Sequence, residues 1–253
     1  MGNRSVPRAE DGLAPGRSVT TGSLAFREWG TEGELPLVFL HGLGPSGPGV
    51  VDGAAPVWAD EYGFRVLAAD LPGFGQAAPG DPAHALPSDL ARMVKHALDE
   101  VGVARFTLVG FSWGGTIGCR IEPGRLAALV LLDVGYQSVQ GVVPTLEERR
   151  AETADADFVD PEFAAAALHG VDVEPPSEML PALARARLPV LLVAATEPQV
   201  ERRADDLARF RAALPGAEIR TIVGAGHNLL VDAPEETIRL VGDWLRSTLS
   251  ACH

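Results

Sequence analysis

Basic residues are scarce in this chain. Lys and Arg number 21 against 34 Asp and Glu, a formal net charge of −13 over 253 residues, and no Lys/Arg-rich run occurs. Nucleic acid and anionic membrane surfaces are bound through clustered cations, so neither is expected as a partner; the acidity serves solubility. Cysteine is nearly absent, with Cys119 and Cys252 alone and no metal-ligand spacing. That excludes a disulfide framework or a zinc site, fits a reducing compartment and makes the cytoplasm the expected location. A single Cys119–Cys252 bridge stays as the minor alternative. No apolar run approaches the ~20 residues of a membrane span. The opening stretch MGNRSVPRAEDGLAPGRSVTTG has no apolar core of the kind a secretory signal needs; residues 1–21 read as a loose tail. No H-E-x-x-H and no Cys/His cluster occur, so no metal and no organic cofactor are expected.

What is present is a set of short apolar runs bounded by turn residues. They are LPLVFL (35–40), FRVLAA (64–69), RFTLVG (105–110), LAALVLL (126–132), LPVLLVAA (188–195) and AEIRTIV (217–223). Runs of this kind suit parallel strands buried on both faces. GSLAFREWG (22–30) alternates more and reads as an edge hairpin strand. Between the runs lie helical periods. Residues 88–102 repeat apolar positions at Leu90, Val94, Leu98 and Val101, with Ser88 placed to cap the start and Gly102 to end it. Residues 234–249 open with Pro and acids and put Ile238, Val241, Trp244 and Leu245 on one face. Strands alternating with helices imply an α/β fold, a mostly parallel sheet with helices on both faces. The interval 137–187 differs. It is acidic, Ala-rich and broken by Pro144, Pro161, Pro175, Pro176 and Pro181. It reads as a small helical cap inserted between two parts of a core, 22–136 and 188–253.

Three segments carry chemistry. Gly110-Phe111-Ser112-Trp113-Gly114 is G-x-S-x-G between an expected strand and an expected helix. That setting strains the serine and lifts its hydroxyl out of the sheet, near the positive end of the helix dipole. His41-Gly42-Leu43-Gly44 ends another strand. A tetrahedral oxyanion needs two N–H donors placed in advance, and Leu43 and Trp113 are placed to give them. His41 reads as a residue that fixes this loop, and His41 and Gly42 are also expected among the substrate-binding residues. Third, Gly224-Ala225-Gly226-His227 follows the last strand. Serine near neutral pH needs a base within hydrogen-bond reach, and histidine suits that task. Of the other histidines, His96 and His253 read as surface residues, and nothing singles out His84 or His169. Asp232 reads as part of the turn that caps the last helix.

With these segments the chain resembles the α/β-hydrolase superfamily. HGLG (41–44), AADLPGFGQ (68–76), GFSWGG (110–115), ALVLLD (128–133) and GAGHNLLVDAP (224–234) occur in the family's order and cover roughly residues 22 to 249. The resemblance implies an eight-stranded sheet and a triad in the order nucleophile, acid, histidine. It also implies that Asp70 and Gly73 to Gly75 build a structural turn. Two features depart from the family. The segment PVLLVAATEPQVE has Pro198 where the usual acid stands, with Glu197 one residue earlier. Members lacking that acid place it after the preceding strand, where this chain has Asp133. Asp133 is the expected acid and Glu197 the alternative. The helix after Ser112 is also about one turn shorter than in relatives.

In this superfamily the members that open epoxides or displace halide use aspartate at the elbow; a serine implies acyl chemistry on an ester, thioester or lactone. A cofactor-free lyase, acyltransferase or cyclase, a carbon–carbon bond hydrolase, and a non-catalytic small-molecule binder are the alternatives. Phe111, Trp113, Tyr136 and Leu229 flank the expected chemistry and point to a small-molecule substrate with an apolar acyl or aromatic part, with about half of them expected in the core. Oligomeric state is not legible.

Overall fold

The apolar runs assemble into one eight-stranded sheet. The structure is a computed structural model that describes residues 16–22, 24–31, 35–44, 47–136, 142–154, 156, 158, 160–196 and 200–251. The strands are β1 Arg17–Thr21, β2 Leu24–Trp29, β3 Leu37–Leu40, β4 Val66–Asp70, β5 Phe106–Phe111, β6 Leu126–Leu132, β7 Val190–Ala195 and β8 Glu218–Ile222. They lie in the order β1-β2-β4-β3-β5-β6-β7-β8. Pairing is parallel from β4 through β8 and antiparallel at β1–β2 and β2–β4.

Helices cover both faces, which is why the inner strands read as continuous apolar runs. On β3, Val38 and Leu40 join one core cluster with Leu90, Val94 and Leu98 of α2, Pro87–Glu100. Leu37 and Phe39 join the other, with Ile238, Val241 and Leu245 of α9, Pro234–Ser250. The two-residue alternation of a strand and the 3.6-residue stripe of a helix thus meet on each side. Each such buried side chain contributes about 1.5–3 kcal/mol over its exposed state. The remaining helices are α1 Ala55–Asp60, α3 Trp113–Gly118, α4 Leu146–Thr153, α5 Pro161–Val173, α6 Leu180–Ala186, α7 Val200–Ala213 and α8 Leu229–Asp232. Among the described residues no helix is long and apolar enough to cross a membrane.

Several local expectations are corrected. Arg17–Thr21, read as tail, is the edge strand β1; its sequence RSVTT holds one apolar side chain, so no period betrays it. β2 is consequently the second strand of the sheet, not its edge. The other edge, β8, is half open to solvent, although its sequence reads as a buried run. Ser88 lies inside the first turn of α2, and its N–H and hydroxyl both donate to Glu174, at 2.8 and 2.9 Å. Asp232 ends α8 and makes no side-chain cap to α9.

Between β6 and β7 run α4, α5 and α6. A capping box of Thr145 and Glu148 starts α4. Arg149 clamps α4 to α5 through a two-pronged bond to buried Asp172, at 2.6 and 2.7 Å. Asp160 caps α5 through the Phe163 amide. Phe163 in turn enters the core: it is 2% exposed and belongs to the same apolar cluster as Phe106 and Leu108.

Candidate active site

The chain passes from β3 outward to β4 and then returns to β5 on β3's other side. Such a switch point opens a crevice at the carboxyl ends of the two strands. The loop 41–44 leaves β3 there and Ser112 leaves β5. β5 turns into α3 within one residue, with Ser112 at φ 50° and ψ −114°, a conformation that side chains rarely adopt. Its amide donates to the Leu132 carbonyl at 2.9 Å, which holds the bend against β6. Glycine is required on either side. A Cβ on Gly110 would lie 2.7 Å from the Gly115 nitrogen, and one on Gly114 would meet the Leu40 and His41 carbonyls. Trp113 opens α3, so its N–H lies ahead of any carbonyl the helix itself supplies.

Three side chains from three strand ends form a hydrogen-bonded chain. Asp133 follows β6 and His227 follows β8. A carboxylate only accepts, so His227 Nδ1–H donates to Asp133 Oδ2, at 2.6 Å. That leaves Nε2 to accept from the Ser112 hydroxyl at 2.9 Å. The Asp133 side chain is fully buried while that of His227 is 57% exposed. Asp133 has φ 48°. Its amide donates to the Val193 carbonyl, and its Oδ1 accepts from the Ala195 amide, both at 2.8 Å. Glu197, the alternative acid, lies outside the described residues.

The loop beside the serine is braced from behind. His41 has no exposed surface. Its Nδ1–H donates to the Gly42 carbonyl at 2.8 Å, and its Nε2 accepts from the Leu71 amide at 3.1 Å. Burial holds its pKa down to about 4, with a smaller push from Arg27, against the raising effect of the Gly42 bond. His41 is therefore a neutral strut and not a substrate contact. A Cβ on Gly42 would meet the Phe111 ring at 2.8 Å, so the loop lies directly on β5. Asp70 closes the next turn by accepting from the Gln76 amide at 2.8 Å. Arg27 ties this region together, bonding the Pro48 carbonyl and Asp52 and lying 3.5 Å from Asp70.

The expected lining residues divide. Leu229 is fully buried, and Phe111 and Trp113 are 7% and 3% exposed. Phe111 lies beside His227 with ring centres 5.1 Å apart and the planes tilted by 44°. Tyr136 is half-buried against Phe210. Leu229 is thus core, because α8 packs its first residues under the loop that carries His227. Phe74 and Phe163 were not singled out by the sequence, yet their rings lie 6.0 and 6.1 Å from Trp113. The only hint is that Phe163 is a lone aromatic in the run PEFAAAALHG.

His169 Nδ1–H donates to the Pro144 carbonyl, 2.9 Å away, and His84 and His96 sit beside surface acids. A cavity of about 460 Å³ lies beside the exit of the six-residue α3, among Ser88, Phe106, Arg120, Ile121 and Met179. It is not the crevice at Ser112. Its four cations are already engaged, Arg120 with Glu174 and Glu178 at 3.0 Å each, Arg125 and Lys95 with Asp99 at 2.8 and 2.7 Å, and Arg92 with Asp89. Among the described residues no group of three His, Cys, Asp or Glu is arranged to hold a metal ion.

Residues 36–160 match the family described as the alpha/beta hydrolase fold. The chain belongs to the α/β-hydrolase superfamily. Over 103 residues it is 31% identical to epoxide hydrolase 3 of Siraitia grosvenorii, covering 39% of this chain and 33% of that one. Over 125 residues it is 34% identical to a 2-hydroxy-6-oxononadienedioate/2-hydroxy-6-oxononatrienedioate hydrolase of Paraburkholderia phymatum, covering 44% and 40%. The matched stretches therefore span well under half of these curated relatives. In three dimensions the chain is similar to a thermophilic esterase from Thermogutta terrifontis, with TM-score 0.74, 23% identity, and 93% and 98% of the two chains covered. At that identity the likeness is one of fold.

Proposed function

We propose that this protein is a serine hydrolase that cleaves a carboxylic ester, thioester or lactone through an acyl-enzyme. The observation that carries the reading is the chain Ser112 Oγ–His227 Nε2 and His227 Nδ1–Asp133, at 2.9 and 2.6 Å. Ser112 Oγ attacks the acyl carbon while its proton passes to His227 Nε2. Asp133 holds the tautomer and stabilises the imidazolium without taking the proton. The oxyanion is received by the N–H groups of Leu43 and Trp113. His227 then gives its proton to the departing alkoxide or thiolate. Water enters, loses a proton to Nε2 and attacks the acyl carbon; the acid leaves and Ser112 regains its hydrogen.

Residues 137–187 act in this reading as a small cap over an apolar acyl or aromatic group, and Phe163 against Trp113 supports that placement. The substrate is a small molecule, no cofactor is required, and the cytoplasm is the proposed location. The epoxide hydrolase likeness is not carried over, because the elbow residue is serine. Carbon–carbon bond hydrolysis of a diketone-like substrate is the second reading, favoured by the likeness to the Paraburkholderia phymatum protein.

The test compares wild type with Ser112→Ala on p-nitrophenyl esters of two to eight carbons and on a fluorophosphonate probe. Ester turnover and labelling that both vanish with the hydroxyl support the acyl-enzyme. Labelling without ester turnover moves the assignment to the carbon–carbon, transfer, lyase or cyclase reactions, of which the last three add no labelled water to product. A wild type that neither turns over nor labels is a binding protein.

A further inference from the structure

One buried donor beside Ser112 is unused. Trp113 is 3% exposed, and its indole Nε1 has no hydrogen-bond partner. A buried N–H left without an acceptor costs about 1–3 kcal/mol, and native folds pair nearly all such groups. The neighbours explain why nothing among the described residues serves it. The ring is caged by His41, Phe74 and Phe163, with ring centres 6.1, 6.0 and 6.1 Å away. The two phenylalanines have no acceptor atom. Both nitrogens of His41 are engaged, one with the Gly42 carbonyl and one with the Leu71 amide. Of the three other buried atoms without a hydrogen bond, Arg27 Nε and Asp70 Oδ1 face each other as opposite charges at 3.5 Å, and Asn228 Oδ1 is an acceptor, not a donor. Trp113 has no such compensation among the described residues.

The described residues offer it no acceptor, and a bound substrate can. We propose that Trp113 Nε1–H is a recognition donor for a neutral keto, ether or amide oxygen in the acyl part of the substrate, and that it sets the preference for acyl groups bearing one. This rests on the acyl-enzyme reading: the acyl group is joined to Ser112, the residue next to Trp113, throughout the intermediate. Neutrality follows from the cage, which holds two apolar rings and an uncharged imidazole; a carboxylate there would be buried without a counter-charge. A site built to hydrogen-bond a substrate group discriminates against the analogue lacking it, since its own donor is then left unpaired.

Two measurements decide the matter. The first is kcat/KM of wild type and Trp113→Phe on p-nitrophenyl hexanoate and p-nitrophenyl 5-oxohexanoate. Phenylalanine keeps an aromatic ring in the cage and the peptide N–H but has no side-chain donor. Wild type is expected to prefer the oxo ester about tenfold, and Trp113→Phe to bring the ratio near one. A ratio that is the same in both proteins overturns the proposal. The second uses indole ¹⁵N-labelled Ser112→Ala, with the Trp113 signal assigned by its loss in the double variant Ser112→Ala/Trp113→Phe. Methyl 5-oxohexanoate is expected to shift that N–H signal, and methyl hexanoate to leave it in place. A signal that both esters move equally, or that neither moves, marks a donor held by bound water and overturns the proposal. If wild type hydrolyses no ester, the hydrolase reading fails by itself, and the nuclear resonance titration alone judges the donor.

Discussion

Asp133 reaches His227 across the end of an intervening strand. The sheet order is β6-β7-β8, Asp133 follows β6, His227 follows β8, and their side chains meet at 2.6 Å. An acid placed this way must be turned sideways over β7. Its φ of 48° makes the turn, and the Ala195 amide of β7 holds the free oxygen at 2.8 Å.

Replacing Asp133 by Asn keeps the shape but offers His227 Nδ1 an amide in place of a carboxylate. The imidazole then loses the fixed tautomer that leaves Nε2 free to accept. Turnover of whichever ester proves active is expected to fall ~10³–10⁴-fold with little change in KM. Glu197→Gln is expected to lose less than about tenfold. Steady-state kinetics of the two variants side by side check the assignment, and a larger loss in Glu197→Gln reverses it.

Ser112 is held at φ 50°, in a region where a side chain costs about 1–3 kcal/mol. Glycine has no such cost. Ser112→Gly and Ser112→Ala both remove the hydroxyl, so their difference isolates the backbone. The glycine variant is expected to melt about 2–12 °C above the alanine variant, while both are inactive. Calorimetry at neutral pH reads this directly. Equal melting temperatures indicate that the elbow relaxes without its serine.

His41 makes stability depend on pH with a definite sign. Its folded pKa, about 4, lies below the ordinary value of 6.5. Between those values the unfolded chain binds more protons than the folded one, so stability rises with pH. The contribution is intact above pH 6.5 and is lost as pH falls toward 4, at about 1 kcal/mol per pH unit. Urea unfolding from pH 7.5 to 4.5 is expected to show a shallower decline in His41→Gln than in wild type. Parallel curves show that the imidazole is not the group responsible.

The parts of the site that lie within one contiguous segment are legible in the sequence. Gly110 to Gly114 announce a strand-to-helix bend, because the glycines are demanded by the approach of neighbouring backbone. The acid is different. Sequence leaves Asp133 and Glu197 as candidates, and what brings Asp133 to His227 is the order of strands, a backbone turn and an amide of β7, none of which a side-chain pattern encodes. β1 escapes for a related reason. Edge pairing with β2 forms it through backbone hydrogen bonds, with one buried residue, Thr21, in five. The cage around Trp113 is likewise invisible, since its rings come from three separate segments brought together by the fold.

Phe163 tests whether α5 moves as a separate flap or belongs to the core. Its ring fills the space over Gly73 and Gly80 and lies edge-on to Trp113. It also shares a core cluster with β5, and Arg149–Asp172 fixes α5 to α4. A helix bound by so much shared apolar surface unfolds with the sheet. Phe163→Ala should then cost about 3–5 kcal/mol of global stability, lowering the melting temperature by roughly 6–20 °C. Amide exchange is expected to quicken in β5 and α2 along with residues 161–173. A detached flap would behave otherwise: exchange would rise within 161–173 alone, and the melting temperature would stay within about 2 °C of wild type.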